Sequence, residues 1–180
     1  MAAGLALATV IPVPSPERHL GNYGVKERTV APTVISGLAS HTPTLREMAF
    51  RRITELVPFI RNASADHNIP ENVLAAVLYE EIVHRKPMDL RTFGVAQLGV
   101  KELEIYGLPP DPNLLESDEL SVWLLGAKLR RLQDKSGSLR NAIILHNGYY
   151  DFHKSVAKTA KDLRIISILN TRNVYDSLDT

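Results

Sequence analysis

The sequence predicts an all-α, mainly helical domain of about six helices behind an irregular N-terminal arm. Three observations predict it. Apolar residues beyond position 41 recur at helical spacing, helix start and stop residues bracket those stretches, and apolar alternation at period two is nowhere sustained. At 180 residues, 44% hydrophobic and 23% charged, the chain suits one domain with a single core.

Residues 1–41 carry Pro12, Pro14, Pro16 and Pro32 with Gly21, Gly24 and Gly37 and hold no period, so they read as the arm, and 42–180 as the helical domain. Thr44 with Glu47 three positions on forms a capping box ahead of Leu45, Met48, Ile53, Leu56, Val57 and Ile60, a long first helix with a candidate kink at Pro58. Pro70 suits the first turn of a second helix bearing Val73, Leu74, Val77 and Leu78 and ending between His84 and Pro87. A loop through residues 93–97 opens a third helical stretch, stopped by Gly107 and the Pro109-Pro110 pair. Ser117 caps a fourth helix whose first turn holds Asp118 and Glu119, and which carries Trp123 in the core on its way to Gly137. Residues 139–145 read as a short apolar helix ended near Gly148. Residues 152–169 read as one more amphipathic helix, with β-branched 163–169 leaving a short strand as the alternative.

Bulk properties exclude several functions. A net charge of +1, from 21 basic and 20 acidic residues, supplies no general field for nucleic acid. The absence of cysteine removes disulfides, thiolate zinc and a thiol nucleophile. The apolar opening residues lack a basic n-region and are broken by Pro12 and Pro14, so no ordinary leader is expected. No stretch approaches the roughly 20 apolar residues of a spanning helix.

One carboxylate stands out. At about 100° per residue, Leu74, Val77 and Leu78 centre the buried face of the second helix, Glu81 projects into the middle of that stripe, and Glu80 lies towards its edge. Burial among apolar side chains penalises the charged form of a carboxylate, so Glu81 is a candidate proton donor, as cleavage of a glycosidic bond requires. The plainer alternative is a glutamate that reaches water or pairs with Arg85.

Several motifs, in order along the chain, are shared with one family. Val73 to Glu81 is an apolar helix ending in Glu, with Ile82 next; Gly94-Val95-Ala96-Gln97 comes after it; a helix from Trp123 to Leu132 surrounds Gly126; and Leu145-His146-Asn147-Gly148 closes Ala142-Ile143-Ile144. Over most of residues 45–170 this order resembles the lytic transglycosylase and goose-type lysozyme family. The first piece is similar to that family's helix ending in a catalytic Glu, where a Ser usually stands in place of Ile82. The second resembles its Gly-Leu-Met-Gln type segment, and the last its Ala-Tyr-Asn-Ala-Gly motif with His146 in place of Tyr. The joint order of these pieces is more specific than any one alone.

The resemblance implies a lysozyme-like fold, a cleft for alternating N-acetylmuramic acid and N-acetylglucosamine, and Glu81 as acid and then base. As a lytic transglycosylase it would leave a 1,6-anhydro end, Glu81 deprotonating the muramic acid C6 hydroxyl. A hydrolytic muramidase would need a water-activating acid as well, for which Asp89 and Glu80 are nearest in sequence. Gln97 and Asn147 would hold sugar or acetamido groups, against plainer roles as a helix-start contact and a C-cap. His146 would line the substrate site and bond Glu81, favouring its charged form if protonated. Tyr149 and Tyr150 would stack on a sugar face or pack between helices.

Glu80 and His84 share a helix face but lack a third ligand, so neither metal nor cofactor is expected. Arg46, Arg51, Arg52 and Arg61 read as a solvated face. The expected partners are glycan strands and, for an antibacterial effector, a cognate inhibitor or immunity protein; nucleic acid and a membrane span are not expected. Action in the periplasm or cell wall would then call for a specialised secretion route or phage lysis. Two other readings are a non-catalytic peptidoglycan-binding module and a structural helical domain that docks through its arm.

Overall fold

A computed structural model describes residues 42–84, 91–148 and 150–169, with Tyr150 and Leu163 described by backbone alone. The assigned arm lies outside the described residues. Within them the fold is all-α: α1 (Leu45–His67), α2 (Glu71–Val83), α3 (Lys101–Ile105), a 3-10 helix (Pro112–Glu116), α4 (Asp118–Ser136), α5 (Leu139–Asn147), α6 (Tyr150–Ala160) and α7 (Leu163–Leu169). The described residues contain no strand, only an isolated bridge between Phe93 and Leu98.

The helix starts obey their side chains. The Thr44 hydroxyl accepts from the Glu47 amide at 3.3 Å while Glu47 accepts from the Thr44 amide at 2.7 Å, completing the capping box. Helix α1 runs on through Pro58, whose ring nitrogen has no proton to give the Thr54 carbonyl, and stops at Asn68 in the left-handed region. The Ser117 hydroxyl accepts from Leu120 to start α4, and Gly137 and Gly148, both at positive φ, end α4 and α5.

Helix α2 is the centre of the molecule. Every residue from Asn72 to Glu80 is buried, because α1, α6 and α7 all pack on this helix. A helix that is apolar all round is a core helix and has no single inner face. The helical wheel sets Glu80 at the edge of a stripe; the structure buries it to 5% exposure, deeper than its neighbour. Helix α4 packs on α1 and α5, and comes close to α1 at Gly126, where an added Cβ would sit 2.8 Å from the His67 ring. Trp123 is in the core as expected, its indole N–H donating to Asp66 at 3.0 Å.

The single helix expected over residues 152–169 is two, which makes seven α-helices rather than six among the described residues. The break comes at Asp162, whose carboxylate accepts from the Arg164 amide at 2.8 Å and so caps a new helix. The strand alternative for 163–169 is overturned by the same turn of helix, and the Arg61 guanidinium donates to the Leu169 carbonyl at 2.9 Å where α7 ends. One hydrophobic cluster joins these helices, with Ile53, Leu56, Leu74, Leu78, Leu124 and Leu125 wholly buried. Among the described residues no helix is long and apolar enough to cross a membrane.

Candidate active site

Glu81 sits on the last turn of α2, where the helix leaves the core and its side chain retains 12% exposure. The end of α5 meets it. His146 Nε2 lies 3.1 Å from Glu81 Oε1, and the Asn147 amide donates to the same oxygen at 3.4 Å. Asn147 is not the C-cap; Gly148 takes that place and leaves the Asn147 side chain to Glu81. Oε2 accepts no hydrogen bond among the described residues, and Glu81 lines a cavity of about 200 Å³. The carboxyl is thus held by one oxygen with the other left for a ligand.

His146 is almost wholly enclosed, with 2% of its side chain exposed. Burial holds the imidazole below the usual histidine range; the Glu81 hydrogen bond opposes this, and the charge on Lys128 adds to it. The ring is therefore neutral at neutral pH, and a neutral imidazole can donate from Nε2 to a carboxylate or accept there from a carboxylic acid. One contact serves both states of Glu81. His146 Nδ1 is buried without a hydrogen-bond partner.

Gly94, Val95 and Gln97 of the turn 94–97 line the same cavity; the sequence sets this turn at a helix start, and it instead closes the Phe93–Leu98 bridge, with α3 beginning later. Gly94 has φ +69°, and a Cβ there would fall 1.9 Å from the Leu115 carbonyl oxygen, so only glycine permits the turn to press against the 3-10 helix. The Ser121 hydroxyl accepts from the Ala96 amide at 3.2 Å and fastens the turn to α4. Gln97 adopts φ +49°, a costly conformation for a residue with a Cβ, while its side-chain amide donates to the Gly94 carbonyl at 2.8 Å and accepts from Thr92 at 3.3 Å. One amide proton of Gln97 is left over in a residue that lines the same cavity as Glu81.

The expected second carboxylates fare differently. Glu80 is turned away from the cavity: it accepts from Thr159 at 2.5 Å and meets His84 at 3.1 Å, tying α2 to α6. That pairing also occupies the facing atoms of the Glu80–His84 couple, and no group of three metal-ligating side chains is present among the described residues. Asp89 and Arg85 lie outside the described residues, as do Tyr149 and the side chain of Tyr150. The carboxylates that do share the cavity with Glu81 are Glu116 and Asp118. Arg52, read as solvated, also lines it, and binds Asp118 at 2.5 Å and Glu55 at 2.8 Å.

Sequence reasoning misses these groups for an identifiable reason. Glu116 and Asp118 flank the Ser117 cap, where acidic residues are already accounted for by the helix dipole. Lys128 is missed as well. It lies just past the middle of an amphipathic-looking helix, yet its ammonium is largely buried, 3.8 Å from Glu102, which Arg131 also binds at 2.9 Å. Burial lowers the lysine below its usual range, with Glu102 and Glu81 opposing the shift. A wider groove of about 510 Å³ between α1 and α7 contains Arg51 and Arg164, the latter 3.9 Å over the Phe50 ring, but its one carboxylate, Glu47, is spent on the capping box.

The fold and site together define an all-α domain with a carboxyl group anchored at the edge of a cavity. No protein-family model, no curated protein and no solved structure matches the chain.

Proposed function

We propose that this protein cleaves the glycan strands of peptidoglycan between N-acetylmuramic acid and N-acetylglucosamine, with Glu81 as general acid. The observation that carries this reading is the position of Glu81: Oε1 is fixed by His146 and Asn147, and the carboxyl borders a cavity that Gln97 also lines. A general acid needs a fixed orientation, partial removal from water and one oxygen open to the leaving group. The order of motifs in the sequence supports the choice of substrate.

Two completions are available to such an acid. As a lytic transglycosylase the protein needs no second carboxylate: Glu81, having lost its proton, takes one from the C6 hydroxyl, and His146 pairs with either form. As a muramidase it needs a base for water. The substrate sets the place of action as the periplasm or cell wall, and an inhibitor or immunity protein would act by filling this cavity.

Purified sacculi incubated with the wild type are expected to release soluble muropeptides, and Glu81→Gln is expected to release them at least about 100-fold more slowly. Circular dichroism melts that agree between the two proteins would assign the loss to chemistry. Equal rates would refute the proposal, and sedimentation with sacculi without release would favour a glycan-binding module.

A further inference from the structure

We propose that Glu116 is the base that activates water in this cavity, so that the strands are hydrolysed; this rests on Glu81 being the proton donor. Of the carboxylates near Glu81, Glu80 is bonded to Thr159 and His84 outside the cavity, and Asp118 is paired with Arg52. Glu116 shares the cavity and has no hydrogen-bond or ion-pair partner among the described residues. A base must be free to take a proton.

Its backbone is held on both sides. Leu115 is wholly buried and carries the carbonyl against which Gly94 packs, and Ser117 is locked as the cap of α4. Glu116 therefore stands on a fixed wall, on a different element from Glu81, with a cavity of about 200 Å³ between the elements. That volume has room for several waters at roughly 30 Å³ each.

The step balances with water as co-reactant. The Glu116 carboxylate takes a proton from water, whose oxygen bonds to the anomeric carbon. The bond from that carbon to the bridging oxygen breaks, its electron pair stays on the oxygen, and the Glu81 proton joins it. Two hydroxyl ends result, and a proton passes through solvent from Glu116 back to Glu81. Attack opposite the leaving group inverts the anomeric configuration.

The test digests sacculi in ¹⁸O-labelled water with wild type, Glu116→Gln and Glu116→Ala, and reads the released ends by mass spectrometry. Reducing ends carrying the label are expected from wild type, with release slowed on the order of 100-fold in Glu116→Gln. Azide should restore cleavage to Glu116→Ala and leave a glycosyl azide of inverted configuration, which loss of a merely structural side chain would not produce. Anhydro ends from wild type, or a wild-type rate in Glu116→Gln, would overturn the role of Glu116 while leaving cleavage by Glu81 intact. No release from wild type would overturn both.

Discussion

At the scale of single residues, the contact between Glu81 and His146 decides what the site can do. Sequence reasoning singles out both and leaves open whether the imidazole is charged. Enclosure answers it, since burial is the largest influence on His146 and acts against the cation. The folded-state pKa is below the ordinary value, so between the two values the unfolded chain binds more protons than the folded one. The resulting stability is complete above about pH 6.5 and is lost as pH falls through the folded-state value. The melting temperature of the wild type should therefore drop more between about pH 7.5 and about pH 5 than that of His146→Gln, which has no imidazole to charge. Parallel curves for the two proteins would mean that His146 does not carry the acid sensitivity. Lys128 and Glu116 show the limit of residue-level reading: each has an ordinary explanation on its own helix, and only the packing of other elements brings the charge of Lys128 to bear on Glu81 and His146 and sets Glu116 on the cavity that Glu81 lines.

Elements form for reasons visible in short stretches of chain. Thr44, Ser117, Gly137 and Gly148 mark helix ends where expected, because caps act within three or four residues. Asp162 acts in the same way but lies inside an apolar pattern that reads as unbroken, which is why α6 and α7 look like one helix in the sequence. The turn at residues 94–97 is the element on which the site depends. Replacing Gly94 with Ala would force a side chain into positive φ and against the Leu115 carbonyl, and should cost at least about 2 kcal/mol in urea unfolding. Activity should fall further than stability, because Leu115 precedes Glu116 and the wall would move. An unfolding midpoint equal to that of the wild type would show that the turn is not pinned there.

For the whole molecule, the arrangement around α2 is what matters. Leu78 is wholly buried in this central helix, and Leu78→Ala should destabilise by about 2–5 kcal/mol, whereas Leu145→Ala, at a site 53% exposed, should stay within about 0.5 kcal/mol. Denaturant titration of both variants checks the contrast, and similar costs would contradict the assignment of the core. By itself the sequence determined the helical class, most helix ends and the prominence of Glu81, since spacing and caps are local properties of a chain, while His146, Asn147 and Gln97 stood out only through the order of motifs. Only the tertiary structure decided that α2 is enclosed on all sides, that Glu80 faces away, and that Glu116 shares a cavity with Glu81. Those facts depend on residues tens of positions apart meeting in space, and the packing of one helix on another is set by all the side chains between them.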